Sequence, residues 1–316
     1  MPQHSRPGSN QIRRRRQAAA GFLVVAALVG IVAGLAITRH HAIRTLPAGT
    51  KAAAPAPARP QAPTSVPTSV PASTSATTAP APTAAAQTTA APPPAGVLAG
   101  KVVAVDPGHN GGNAGDPSFI NKIIWNGRES ETCDTTGTET DGGYTEAQFN
   151  FNVAQALTAD LQGEGAKVVL TRTTNTGVGP CVTDRAAIGN EAHADAAISV
   201  HADGGPASGR GFAVLEPVAD GPNNAIVAPS AVLGQDLRAT FLAGTGEPVS
   251  TYDGTNGIQP RNDLGGINLS TVPKVFIECA NMRNAADAAL VTSPAWQKQV
   301  ADALAKGITQ FLHRAG

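Results

Sequence analysis

Acidic side chains are absent from the first 97 residues of this 316-residue sequence, which carry nine Lys or Arg. The other fourteen basic residues and all 23 acidic ones lie in residues 98–316, so a chain of zero formal charge splits into a basic N-terminal part and a C-terminal part of net charge −9. Aromatic residues make up only 4% of the chain. An acidic body with few aromatics grips phosphate backbones poorly, so no nucleic-acid partner is expected. Charge of either sign is missing from Ala18 to Thr38, where Leu, Val, Ile, Ala and Gly dominate. A helix of that length crosses a bilayer. Arg6 and Arg13 to Arg16 precede it, and only Arg39 and Arg44 follow closely, which directs residues 1–17 to the cytoplasm and everything after residue 38 outside. A cleaved signal peptide is the competing reading. It would have a shorter apolar region and a small-residue cleavage site, and no clear Ala-x-Ala follows. Under either reading the rest of the chain is exported, and a single-pass cell-membrane protein is expected.

Large apolar residues are scarce in the next stretch. Residues 39–97 are mostly Ala, Pro, Thr and Ser; they bury too little to offset their ordering entropy and read as a disordered stalk. From residue 98 to 316 the pattern is that of one α/β domain. Lys101–Val105, Lys167–Thr171, Ala196–Val200, Gly211–Leu215 and Lys274–Glu278 read as strands, while Glu146–Leu161, Ser230–Leu242 and Ser293–Leu312 read as helices. Their alternation predicts a central, largely parallel or mixed sheet with helices on both faces. Residues 110–145, rich in Gly, Asn, Thr and Asp, are too long for a plain connection and read as an insertion near a site, with Glu129, Glu131 and Glu139 solvated.

No His-Glu-x-x-His signature is present, so any metal site must be assembled from distant segments. The first strand runs into Asp106-Pro-Gly-His109-Asn-Gly-Gly, the strand ending at Val200 delivers His201, and the strand Val275–Ile277 delivers Glu278. Strand ends of an open α/β sheet line its ligand crevice. Taken singly, each residue has an ordinary reading as a turn or solvated group; their convergence on one edge does not. Glu146 starts the core-facing stripe Phe149, Val153 and Leu157 of its helix, whereas a carboxylate serving only the helix dipole is expected on the outer face. Two His and a carboxylate with one position left open make a catalytic zinc set, and a further Glu supplies proton transfer. His4, His40, His41, His193 and His313 lie in flanking, polar or terminal contexts. Asp106 is expected either to orient a histidine ligand or to cap its turn, and Arg261 either to line the cleft or to sit on the surface.

The runs Val-Asp-Pro-Gly-His109-Asn-Gly-Gly, Glu146 opening a helix, Ser-Val-His201-Ala and Val-Phe-Ile-Glu278-Cys resemble those of zinc-dependent N-acetylmuramoyl-L-alanine amidases of the amidase-3 type. The likeness spans about residues 98–316 and includes Leu170-Thr-Arg172, Asp184-Arg185-Ala-Ala-Ile and Asn284. It implies that His109, Glu146 and His201 bind Zn2+, that Glu278 is catalytic, and that the enzyme cuts peptidoglycan or muropeptides between N-acetylmuramic acid and L-alanine; a monomer is expected. Cys-Ala-Asn-Met follows Glu278 where the family often has Gly-Phe, a departure that bears on substrate detail. Another exported zinc hydrolase (a peptidase or deacetylase) and a non-catalytic wall-binding module are the rival functions. Of the three cysteines, Cys279 follows Glu278 on a strand and so faces the opposite side of the sheet. Pairing of Cys133 with Cys181, leaving Cys279 free, is therefore expected.

Overall fold

The computed structural model describes residues 96–314. The anchor and nearly all of the stalk lie outside these residues. Among the described residues, no helix is long and apolar enough to cross a membrane.

The strands are β1 (Val102–Pro107), β2 (Ile123–Trp125), β3 (Ser130–Thr132), β4 (Lys167–Leu170), β5 (Ala196–Asp203), β6 (Ala213–Pro217), β7 (Ile258–Arg261) and β8 (Lys274–Asn281). The helices are α1 (Pro117–Ile120), α2 (Glu146–Gly163), α3 (Val182–Glu191), α4 (Val227–Thr245), α5 (Gly265–Asn268), α6 (Ala285–Val291) and α7 (Pro294–Arg314). Six strands form the main sheet in the order β4-β1-β5-β8-β6-β7, while β2 and β3 pair separately as a hairpin. The four strands β4, β1, β5 and β8 run parallel; β6 is antiparallel to β8 and parallel to β7. The sheet is thus mixed, as anticipated.

Alternation along the strands gives its two faces different work. Val103, Val105, Ile198, Val200, Val275 and Ile277 join Phe149, Val153, Leu157 and Leu161 of α2 and residues of α4 and α7 in one core cluster. The opposite face carries Asp106, Ser199, His201, Phe276 and Glu278, because Asp106 pairs with Ser199, Ser199 with Phe276 and His201 with Glu278 in parallel register. Helix α2 starts cleanly: the Thr145 side chain accepts a hydrogen bond from Gln148 N, satisfying one of the free N-terminal amides.

Sequence reading recovers five of the six strands of the main sheet and the three long helices to within a few residues. It passes over α3, α6 and β7. Helix α3 has only Arg185, Ala186 and Gly189 buried, a stripe too short and too polar to announce itself by period. Residues 110–145 hold α1 and the β2–β3 hairpin. They are fastened by a disulfide from Cys133 to Cys181, Cα atoms 4.7 Å apart and 48 residues apart in sequence. Closing such a loop is worth about 4 kcal/mol in the chain-entropy description. Cys279 is free and buried, on the core face.

Candidate metal and catalytic site

Among the described residues, one group of three His, Cys, Asp or Glu side chains converges closely enough to share a cation: His109, Glu146 and His201, with donor atoms within 4.8 Å of one another. Each comes from the element that sequence reading assigned. His109 follows β1, Glu146 is the first residue of α2, and His201 lies on β5. Glu146 spans the two imidazoles: Oε2 is 3.3 Å from His109 Nε2 and Oε1 is 2.8 Å from His201 Nδ1. Its oxygens also accept hydrogen bonds from Thr138 N (2.9 Å) and Ala202 N (3.3 Å), so the carboxylate is held before any ligand arrives.

Two local backbone features admit this packing. His109 has φ of 52°, a conformation uncommon for a non-glycine residue and tolerated where surroundings over-determine it. A side chain at Gly108 would lie 2.0 Å from the His201 ring. Only glycine fits there.

The residue that orients His109 is Asp134, whose Oδ1 lies 3.2 Å from Nδ1. A carboxylate there fixes the proton on Nδ1 and frees Nε2 to ligate. This corrects the role considered for Asp106, which never reaches a ligand histidine. It accepts instead from Thr171 Oγ1 and Ser199 Oγ, both at 2.6 Å, and from Arg185 Nη1 at 2.9 Å. Arg185 donates through Nη2 to Asp134 Oδ2 at 3.0 Å and to the His109 carbonyl at 3.0 Å. One buried guanidinium thereby ties the strand end to the insertion. Burial opposes charge on both aspartates, yet Arg185 and Lys274 hold the Asp106 carboxyl, and the His109 hydrogen bond and Arg185 hold the Asp134 carboxyl, below the usual range.

We expect Arg185→Met to cost about 3–5 kcal/mol, because it removes the guanidinium shared by two buried carboxylates and leaves Asp106 with Lys274, at 3.7 Å, and Asp134 with His109. Urea unfolding at pH 7 checks this. The folded pKa values of Asp106 and Asp134 are depressed, so their stabilisation is present above the unfolded value of about 3.9 and declines as pH falls below it. The deficit of the variant should therefore shrink toward pH 3.

Glu278 sits beside His201 in register. Its Oε2 is buried and has no hydrogen-bond partner. Burial, reinforced by the negative charge of Glu146 and Asp203, pushes its carboxyl well above the usual range. His109 behaves in the opposite way: burial disfavours its charge, but Glu146 and Asp134 raise it to about 10. Two buried carboxylates packed against two imidazoles are a donor set that favours a cation. The donor types, their spacing and the unpartnered Glu278 oxygen all fit a divalent metal with nitrogen and oxygen ligands.

A cavity of about 190 Å³ opens beside His109 and His201, walled by Thr132, Val182, Leu264, Gly265 and Phe276 among others. Glu131 also lines it and accepts a hydrogen bond from Gly265 N at 3.0 Å, so this residue is part of the cavity wall and not solvated as expected from its polar surroundings. Arg261 is paired with Asp263 at 2.7 Å. Asp134, Thr138 and Phe276 had no separate signal in the sequence; the one available hint was that Asp134 adjoins a cysteine expected to be bridged.

Comparison with known proteins agrees with this geometry. A family model described as N-acetylmuramoyl-L-alanine amidase (Amidase_3) matches residues 103–310. The N-acetylmuramoyl-L-alanine amidase Rv3717 of Mycobacterium tuberculosis is 38% identical over 219 residues, covering 69% of this chain and 89% of that protein. Among solved structures, the amidase Ami1 from Mycobacterium smegmatis shares 39% identity with a TM-score of 0.65, over 69% of this chain and 99% of that one. The apo form of Ami1 from Mycobacterium abscessus shares 40% with a TM-score of 0.64, over 68% of this chain and 100% of that one.

Proposed function

Since the chain belongs to the Amidase_3 family of N-acetylmuramoyl-L-alanine amidases, we propose that His109, Glu146 and His201 hold a zinc ion and that Glu278 carries the proton in its reaction. The enzyme is a peptidoglycan hydrolase that cuts the amide between N-acetylmuramic acid and the L-alanine of the stem peptide. The observation that carries the site assignment is the convergence of three donors within 4.8 Å, beside a buried carboxylate oxygen without a partner.

A zinc ion held there supplies a Lewis acid for the amide carbonyl and lowers the pKa of water. The protein residues do the rest. Asp134 keeps the His109 ring in its ligating orientation, and the Thr138 and Ala202 amides keep Glu146 between the imidazoles. Glu278 accepts a proton from the water that attacks the carbonyl carbon. As the C–N bond breaks, it returns that proton to the leaving α-amine of L-alanine. Burial and the negative charge of Glu146 and Asp203 strengthen the hold of Glu278 on the proton it takes up.

Purified enzyme incubated with muropeptides should release a stem peptide with a free L-Ala amine, together with muramic acid bearing a free lactyl carboxylate. A new amine within the stem would mark a peptidase, and acetate release a deacetylase.

Residues 18–38 and their basic flank support a second reading, a membrane tether with the enzyme on the outer side. Full-length protein should then remain with membranes and be cut by protease added from outside only. A mature N-terminus beyond residue 38 would mean a cleaved signal instead.

A further inference from the structure

We propose that Tyr252 is a positioning residue for the reaction: its hydroxyl holds Asp203, a carboxylate beside Glu278, turned away from the proton carrier. The proposal rests on the reading of Glu278 given above. Asp203 lies two residues beyond His201 on β5, and alternation puts both side chains on the face of the sheet that carries Glu278, while Ala202 between them belongs to the core. His201 pairs with Glu278 in register, but Asp203 pairs with Asn281, so β8 takes three residues where β5 takes two. Such a bulge re-aims the side chains around it, and this one directly follows the pair that sets a metal ligand beside the proton carrier.

A carboxylate in that place can interfere. After burial and Glu146, the negative charge of Asp203 is the next influence holding the Glu278 carboxyl above its usual range. If Asp203 turned toward Glu278, its oxygen would accept the hydrogen bond of the protonated carboxyl and tie up the proton meant for the leaving amine. The structure keeps both Asp203 oxygens occupied elsewhere. Oδ1 accepts from the Gly204 amide at 2.6 Å, and Oδ2 accepts from Tyr252 Oη at 2.8 Å. Burial, with Asp203 and Glu278, pushes the Tyr252 hydroxyl well above the ordinary tyrosine range, so it keeps its proton and stays a donor.

The tyrosine is itself fixed. The loop after β5 closes on its ring, since a side chain at Gly205 or at Gly209 would collide with it. Asn281 fastens the same loop, donating through Nδ2 to the carbonyls of Pro206 and Gly209, both at 2.8 Å. Met282 N donates to the Asp203 carbonyl at 2.8 Å, which holds the backbone of Asp203 whatever its side chain does. Packing of the loop needs only the ring. Among the described residues the hydroxyl bonds to Asp203 alone.

The test separates the hydroxyl from the ring. Tyr252→Phe keeps the packing and frees Asp203. On muropeptide its kcat should fall about tenfold, the worth of one hydrogen bond to a charged group, with KM, zinc content and thermal midpoint unchanged. Adding Asp203→Ala removes the carboxylate set loose, so the double variant should regain most of that loss, whereas a hydroxyl of purely structural use would leave it as slow or slower. In the Glu278→Gln background, where no proton carrier remains, Tyr252→Phe should slow turnover no further. Unchanged kcat in Tyr252→Phe would overturn the proposal, as would a loss that Asp203→Ala leaves in place in folded protein. Should the double variant fail to fold, the Glu278→Gln comparison decides alone: an equal Tyr252→Phe deficit with and without Glu278 overturns the proposal. Wild-type turnover by Glu278→Gln itself would instead remove the proton-carrier reading on which it rests.

Discussion

Glu278→Gln should retain near-stoichiometric zinc and its fold, yet turn over muropeptide about 10²–10⁴-fold more slowly, the usual range for a positioned acid–base group. Gln keeps the shape of the side chain and one carbonyl oxygen, so the strand and its neighbours have no reason to move. It also relieves the desolvation that burial imposes on a carboxylate beside Glu146 and Asp203, so thermal stability should be unchanged or slightly higher. What is lost is the ability to accept a proton from attacking water and return it to the amine. The effect belongs in kcat, with little change in KM, since Glu278 acts on the reacting atoms and not on ground-state binding. Zinc content measured on the same sample as hydrolysis decides the matter. A variant that loses zinc would make Glu278 a ligand, and one that keeps full activity would remove it from the mechanism.

His109→Ala, Glu146→Ala and His201→Ala should each lose both metal and detectable activity. Removing any one leaves two protein donors, too few for a stable tetrahedral site. Glu146→Ala should be the most severe structurally. Its carboxylate is buried at 4% exposure between two imidazoles, and deleting it leaves both rings, the Thr138 amide and the Ala202 amide without their shared acceptor. Wild-type protein should gain thermal stability as zinc is added, by RT ln(1 + [Zn]/Kd), and the three variants should not. Metal analysis, melting in the presence and absence of zinc, and hydrolysis form one set of measurements. Retained zinc in Glu146→Ala together with lost zinc in Glu278→Gln would show that the two carboxylates have exchanged roles.

The strands that carry the site were legible because they are buried on both faces and end in polar residues. Val102–Val105 before Asp106, and Ala196–Val200 before His201, contrast an apolar run with an abrupt polar stop, a signal that survives without any alignment. Glu146 was legible through helical period, since it shares a stripe with Phe149, Val153 and Leu157, all fully buried. What could not be read lies where side chains meet through tertiary contact alone. Asp134 reaches His109 across 25 residues and Arg185 reaches Asp134 across 51. No local pattern encodes a pairing between an irregular segment and a short polar helix. Asp106 shows the same limit: orienting a histidine ligand was one of two roles open to it, while its partners lie on β5, α3 and beside β4. Glu131 followed suit, a carboxylate in a polar stretch that the hairpin turns inward.

Strand β5 sits between β1 and β8, so the two pairings that assemble the site join Val103 to Ala196 and His201 to Glu278. Both are parallel and distant in sequence. Loops of such length close late and slowly, which places this domain among high-contact-order folds in its central region. Helices α2 and α7 can form early from local preference, yet neither brings a second ligand near Glu146. Recovery of metal binding during refolding therefore reports completion of the central sheet, and it should lag behind the return of helical circular dichroism. The same arrangement leaves no catalytically competent partial fold: a chain ending before β8 lacks both Glu278 and the strand that orders His201.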